Sequence, residues 1–181
     1  MIINKLISFY LILLGEILFG GSPIRDAAEK YIISQFDVDV SIYMHTLKLD
    51  TKLKVLVQNK VKQRFYRDEL YYWNISNNDT TIAYALMDNV LGKSMPITFL
   101  VILNNEGNIL ASEIIKYREA YGSEVGNKNW LAQFTCFNDT TDFKVGKNID
   151  GISGATISVN SLTKGIQKIA VLFPLIKDKL N

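Results

Sequence analysis

The stretch Pro96-Ile97-Thr98-Phe99-Leu100-Val101-Ile102-Leu103-Asn104-Asn105-Glu106-Gly107-Asn108-Ile109 decides the fold. An uncharged run from Ile97 to Leu103, short and rich in β-branched side chains, predicts a strand buried on both faces. Asn104 to Asn108 supplies turn residues, Gly107 among them, and the chain returns over Ile109 to Tyr117, so the segment reads as a hairpin. Working outward, Leu70 to Ile75 and Thr80 to Met87 read as two further strands around the turn Asn77-Asn78-Asp79. Downstream, Leu162, Ile166, Ile169, Ala170 and Phe173 form one apolar stripe, which predicts a helix after residue 158, interrupted near Pro174. Ile24 to Phe36 fits a short amphipathic helix with Pro23 in its first turn. Residues 48 to 67 interleave Lys48, Lys52, Lys54, Lys60, Lys62, Arg64 and Arg67 with leucines and valines at helical spacing, although Lys52 to Val55 also alternates like a strand. This basic run is either a solvated helix face closed by Asp68 and Glu69 or a contact for anionic lipid or an acidic partner. The sum is an α+β chain: a single domain with a mostly antiparallel sheet packed by helices, behind an N-terminal hydrophobic segment.

Composition narrows the chemistry. The chain has 181 residues, of which 20 are basic and 18 acidic, so its formal charge of +2 is too small to drive nucleic-acid binding through phosphate neutralisation. One cysteine, Cys136, and one histidine, His45, exclude an internal disulfide and Cys/His zinc, haem or iron–sulfur sites. The phosphate-binding fingerprints GxGxxG and GxxxxGK[ST] and the nucleophile elbow GxSxG are absent.

Residues 1–22 resemble an export signal or a membrane anchor: Lys5 precedes an uncharged run from Leu6 to Gly15, and Gly20, Gly21, Ser22 and Pro23 follow. Glu16 interrupts the longer run from Ile2 to Phe19, and a charge at a helix centre costs roughly 2.5 to 3.5 kcal/mol on insertion. Near an end it reaches the interface, so signal, anchor and buried first helix all remain open. The remainder, 23–181, is expected to form the folded domain; on the signal or anchor reading it lies outside the cytoplasm, secreted or anchored.

Asp150-Gly151-Ile152-Ser153-Gly154-Ala155-Thr156-Ile157-Ser158 stands just before the C-terminal helical stripe. Its glycines and alanine clear side chains from a loop that ends at a helix start, where unpaired N–H groups and the helix dipole favour a phosphate. Thr156 offers a hydroxyl beside that position. By chemistry alone the segment is also readable as a Gly-rich connection whose Ser153, Thr156 and Ser158 cap the helix.

The string Asp-Gly-Ile-Ser-Gly-Ala-Thr resembles the flavinylation motif of the FMN-binding domain family, whose members include flavin-bearing subunits of the sodium-pumping NADH:quinone reductase and of the Rnf complex. Gly92-Lys93-Ser94-Met95-Pro96-Ile97, Glu119-Ala120-Tyr121-Gly122-Ser123-Glu124-Val125 and Trp130-Leu131-Ala132-Gln133-Phe134 are similar to that family's core, so the resemblance covers roughly residues 80–172. Glu119-Ala120-Tyr121-Gly122 departs from the commoner Glu-Thr-Pro-Gly. The resemblance implies FMN joined covalently through a phosphoester to Thr156, installed from FAD by a Mg-dependent flavin transferase, with membrane or extracytoplasmic redox partners.

On that reading the backbone N–H groups of Ala155, Thr156, Ile157 and Ser158 hold the phosphate, and Gly154 permits close approach. Asp150 either orders the turn by accepting backbone N–H bonds or is read by the transferase. Tyr117, Tyr121 and Trp130 are candidates to touch the flavin ring, with Gly122 and Ser153 beside them. Glu119 is expected to hold structure through hydrogen bonds, and Lys93 to meet a flavin oxygen or the phosphate, or else to be solvated. The implied function is an extracytoplasmic electron carrier, because no general acid or base stands beside the motif. An FMN-dependent small-molecule reductase and a flavin-free structural or interaction domain are the competing classes.

Overall fold

The computed structural model describes residues 22–180. The expected export or anchor segment, 1–22, lies outside the described residues except for Ser22. Among the described residues no helix is long and apolar enough to cross a membrane.

Five strands form one antiparallel meander in chain order: β1 (Ser41–Lys48), β2 (Glu69–Asn77), β3 (Thr80–Leu91), β4 (Pro96–Asn104) and β5 (Ile109–Lys116). The β2–β3 hairpin turns on Asn78 and Asp79, whose φ angles of 47° and 61° are the left-handed pair that matches strand twist. In the β4–β5 turn the Asn104 side chain accepts the N–H groups of Glu106 and Asn108. β4 is the hydrophobic strand expected from its sequence to be buried on both faces, and it is buried from Ile97 to Leu103. That burial requires both faces of the sheet to be covered.

One face is covered by the long helix α4 (Thr156–Ile176) together with α2 (Thr51–Val61), and the other by α1 (Pro23–Ile33). Val159, Leu162, Ile166, Ile169, Leu172 and Phe173 of α4 meet Leu86, Val90, Phe99 and Val101 in one cluster. Each such fully buried side chain contributes about 1.5–3 kcal/mol. Helix and sheet come close at Gly165, where an added Cβ would lie 2.5 Å from Val90 Cγ1. The same interface buries an ion pair, Lys168 Nζ to Asp88 Oδ2 at 2.8 Å, with Nζ also donating to the Arg64 carbonyl at 2.9 Å.

Two sequence expectations are corrected, and one strand appears that the sequence did not predict. The helix in the basic run is shorter than 48–67: the Asp50 carboxylate caps it by accepting from Lys52 and Leu53 N–H, and Lys62 ends it at φ 59°. α4 does not break at Pro174 but runs on to Ile176, because a proline in the last turn deletes only one N–H donor. Strand β1 was not foreseen; its residues alternate between exposed and half-buried at the sheet edge, so its apolar signal is weak.

Candidate functional site

β5 ends at Lys116, and the chain then passes Tyr117, Glu119 and Gly122 on its way to the short turns Ser123–Gly126 and Ala132–Phe134 around helix α3 (Lys128–Leu131). Glu119 Oε1 accepts the backbone N–H of Ser94 at 2.6 Å and of Met95 at 2.8 Å. These bonds, with Lys93 beside them, hold its carboxyl below the usual range. Glu119 therefore clamps the β3–β4 turn, and Gly92 makes room for it: a Cβ there would stand 2.5 Å from Oε1. Lys93 lies exposed in that turn.

Tyr117 is half-buried against the core, and its hydroxyl is already engaged. It donates to the Tyr121 carbonyl at 2.5 Å and lies 3.0 Å from Ser158 Oγ. Gly122, at φ +81°, fills the space between them; its missing Cβ would meet Tyr117 Oη at 3.0 Å, Ser158 Oγ at 3.1 Å and Ala155 Cβ at 3.5 Å. Gly122 and the Tyr121 carbonyl are thereby held against the start of α4. Tyr121 itself is 84% exposed, and Ile157 51%.

The long connection from 135 to 155 is anchored by Phe137, Phe143 and Ile149 in the core. Its last part hangs on two side chains from the preceding turn. Trp130 Nε1 donates to the Asp150 carbonyl at 2.8 Å, and Asp150 N–H donates to Gln133 Oε1 at 2.8 Å. Trp130 is buried, with its ring edge-on to Phe134, so it acts as a peg for the loop. Gln133 was not assigned a role from sequence; nothing local marks a residue that bonds 17 positions away.

Two expectations change here. The Asp150 carboxylate orders no turn: it is exposed and makes no hydrogen bond among the described residues, whereas the main chain of Asp150 does the anchoring. Ala155 N–H is also not free for a ligand, because it donates to the Ile152 carbonyl at 3.1 Å.

α4 begins at Thr156 with Ala155 as its cap residue, and no side chain caps it. Ser153 and Thr156 are exposed, and Ser158 is buried under Tyr117. The capping alternative thus fails. The first intrahelical bond comes from Val159 N–H, so the N–H groups of Thr156, Ile157 and Ser158 point out of the helix start without a backbone partner. No acidic side chain sits in this first turn to offset the dipole. Gly154 turns at φ +81° with no atom within 4 Å of where its Cβ would be, which leaves the approach to Thr156 open. Beside the loop lies a shallow groove of about 410 Å³ lined by Trp130, Gln133, Asp150, Ile152, Glu124, Asn127 and Asn129. A free hydroxyl, three unspent donors and an adjoining groove fit a phosphate-bearing group with a flat ring. His45 stands on the opposite edge strand, stacked on Tyr72 at 5.2 Å between ring centres.

Fold and loop together define an α+β domain whose long C-terminal helix starts uncapped, with the Thr156 side chain exposed at that start. Residues 92–171 match the family described as the FMN-binding domain. It is similar to a component of the ion-translocating oxidoreductase complex of Buchnera aphidicola, 28% identical over a 142-residue alignment that takes in 67% of this chain and 85% of that protein.

Proposed function

We propose that the protein is an electron-transfer flavoprotein that carries FMN covalently through a phosphoester to Thr156, outside the cytoplasm and beside a membrane redox complex. The observation that carries this reading is the exposed Thr156 hydroxyl at the uncapped start of α4 within an FMN-binding domain. The name of the Buchnera relative supports the redox-complex setting, and the hydrophobic sequence of residues 1–22 supports the location.

Thr156, Ile157 and Ser158 N–H hold the phosphate, and Gly154 keeps side chains away from it. Tyr121 and Ile157 offer apolar surface for the ring, as does the groove edged by Trp130. The exposed Asp150 carboxylate is left for recognition by the flavin transferase. When bound, FMN supplies one- and two-electron transfer; the chain supplies its position and surroundings. A covalent tether keeps the site filled where free FMN is scarce, since a reversible site empties once ligand falls below its dissociation constant.

Co-expression with a flavin transferase tests this. The transferase passes the FMN half of FAD to the Thr156 oxygen and releases AMP, so the intact protein should gain the mass of FMN less one water and give a fluorescent band on a denaturing gel. Thr156→Val should lose both and Ser153→Ala keep both. Wild-type protein that stays colourless beside an active transferase, or flavin retained by Thr156→Val, overturns the assignment. A reporter fused to the C terminus should be active only if exported. Rapid turnover of soluble acceptors would point to a reductase instead of a relay.

A further inference from the structure

The sheet face turned away from α4 carries a hollow of about 430 Å³, within the size range of small-molecule sites. α1 covers only part of this face. Beyond its first turn the sheet offers Met44, Tyr71 and Met87 as an apolar floor. Arg67, Asn89 and Arg118 line the hollow, and the same three line an adjoining one of about 360 Å³. The two are lobes of one groove with its polar groups at the junction.

Those polar groups are set as donors. Arg118 Nη1 donates to the Pro96 carbonyl and to Thr98 Oγ1, each at 3.0 Å. Thr98 Oγ1 donates in turn to Asn89 Oδ1 at 2.7 Å. The amide oxygen of Asn89 is thus occupied, while its Nδ2 and the other N–H groups of Arg118 remain available. Neither Arg67 nor Arg118 has a carboxylate within ion-pair distance among the described residues. The neighbouring charges are answered elsewhere: Arg25 pairs with Glu29, and Asp88 with Lys168 behind the sheet. Glu69 at the rim is one carboxylate against two unpaired guanidiniums, so the groove keeps an excess positive charge.

We propose that this groove binds an oxyanion, a phosphate or a carboxylate, borne on an apolar body. The arginines and Asn89 Nδ2 take the anion, with planar guanidinium forks suited to its paired oxygens. The methionines and Tyr71 take the apolar part. An anionic phospholipid and a soluble aryl or acyl anion share this chemistry. The rim residue Ser22 directly follows the hydrophobic sequence of the N-terminal segment, which favours the lipid. The site is independent of flavin at Thr156, which lies at the start of the helix on the other face.

Calorimetry on the full chain tests it with four probes: inorganic phosphate, phenyl phosphate, and monomeric dihexanoyl phosphatidylglycerol and phosphatidylcholine. At least one apolar anion should bind about tenfold more tightly than inorganic phosphate, and phosphatidylcholine should not bind. Phosphatidylglycerol alone identifies a lipid as the source; phenyl phosphate alone identifies a soluble anion. Asn89→Asp keeps the oxygen that Thr98 donates to and adds a negative charge. It should weaken binding about tenfold or more with an unchanged melting temperature, as should the exposed Arg67→Gln. No saturable binding of either apolar anion, or binding indifferent to both substitutions, overturns the proposal.

Discussion

Tyr117 Oη stands 3.0 Å from Ser158 Oγ while donating to the Tyr121 carbonyl at 2.5 Å. One phenol thereby ties the end of β5, the Tyr121-Gly122 corner and the first turn of α4, and so fixes Thr156 relative to the sheet. Tyr117→Phe keeps the ring packing and removes both bonds. A loss of about 1–2 kcal/mol is expected in urea unfolding, with slower flavin attachment because the helix start is less firmly placed.

Gly122 and Gly154 share the same left-handed backbone at φ +81° but differ in their surroundings. Gly154→Ala meets open space and should cost only the backbone strain, about 1–2 kcal/mol. Gly122→Ala adds crowding against Tyr117 Oη and Ser158 Oγ, worth a further 1–3 kcal/mol or so. Parallel denaturation curves should rank the two in that order.

On the proposed function, Asp150 and Trp130 separate recognition from architecture. Asp150→Asn leaves every hydrogen bond of the loop intact, so its stability should stay within about 0.5 kcal/mol of wild type. Flavin incorporation should nevertheless fall. Trp130→Phe deletes the indole N–H that holds the Asp150 carbonyl and should lose about 1 kcal/mol or more, accompanied by greater amide exchange through 150–155.

Glu119 makes the β3–β4 turn sensitive to acid. Backbone N–H bonds lower its pKa from the ordinary 4.5 in the folded state, so below that value the unfolded chain binds a proton that the native chain refuses. The stabilisation is complete above pH 4.5 and disappears as pH falls through the depressed native value. Glu119→Gln retains an acceptor for Ser94 and Met95 and should flatten this part of the stability profile below pH 5 or so.

Lys168 and Asp88 are buried together, so removing one strands the other. Lys168→Ala should cost about 3–5 kcal/mol, whereas Lys168→Met with Asp88→Asn should recover much of the loss, because no lone charge remains buried. Thermal melts of the two variants decide the point.

Much of the fold was legible where neighbouring residues carry the signal. The apolar run Ile97 to Leu103 announces a strand buried on both faces, and the Asn and Gly residues after it announce the turn. The Asn78-Asp79 corner and the stripe from Leu162 to Phe173 are equally local. Edge strand β1 was not legible, since half its residues face solvent and pairing with β2 alone defines it. The limits of the helix in the basic run were also hidden, because the decisive features are a cap at Asp50 and a left-handed turn at Lys62.

The order of residues by itself determined the α+β class, the hairpin from Pro96 to Tyr117, and a glycine-cleared segment that ends in Thr156 at a helix start. These depend on periodicity and turn chemistry within a few positions. Tertiary structure alone decided that Trp130 and Gln133 suspend that loop by the main chain of Asp150, that the Tyr117 hydroxyl ties the Tyr121 carbonyl to Ser158, and that Arg67 and Arg118 meet at one groove. Such groups lie far apart along the chain, and only the pairing and packing of the strands bring them within bonding distance.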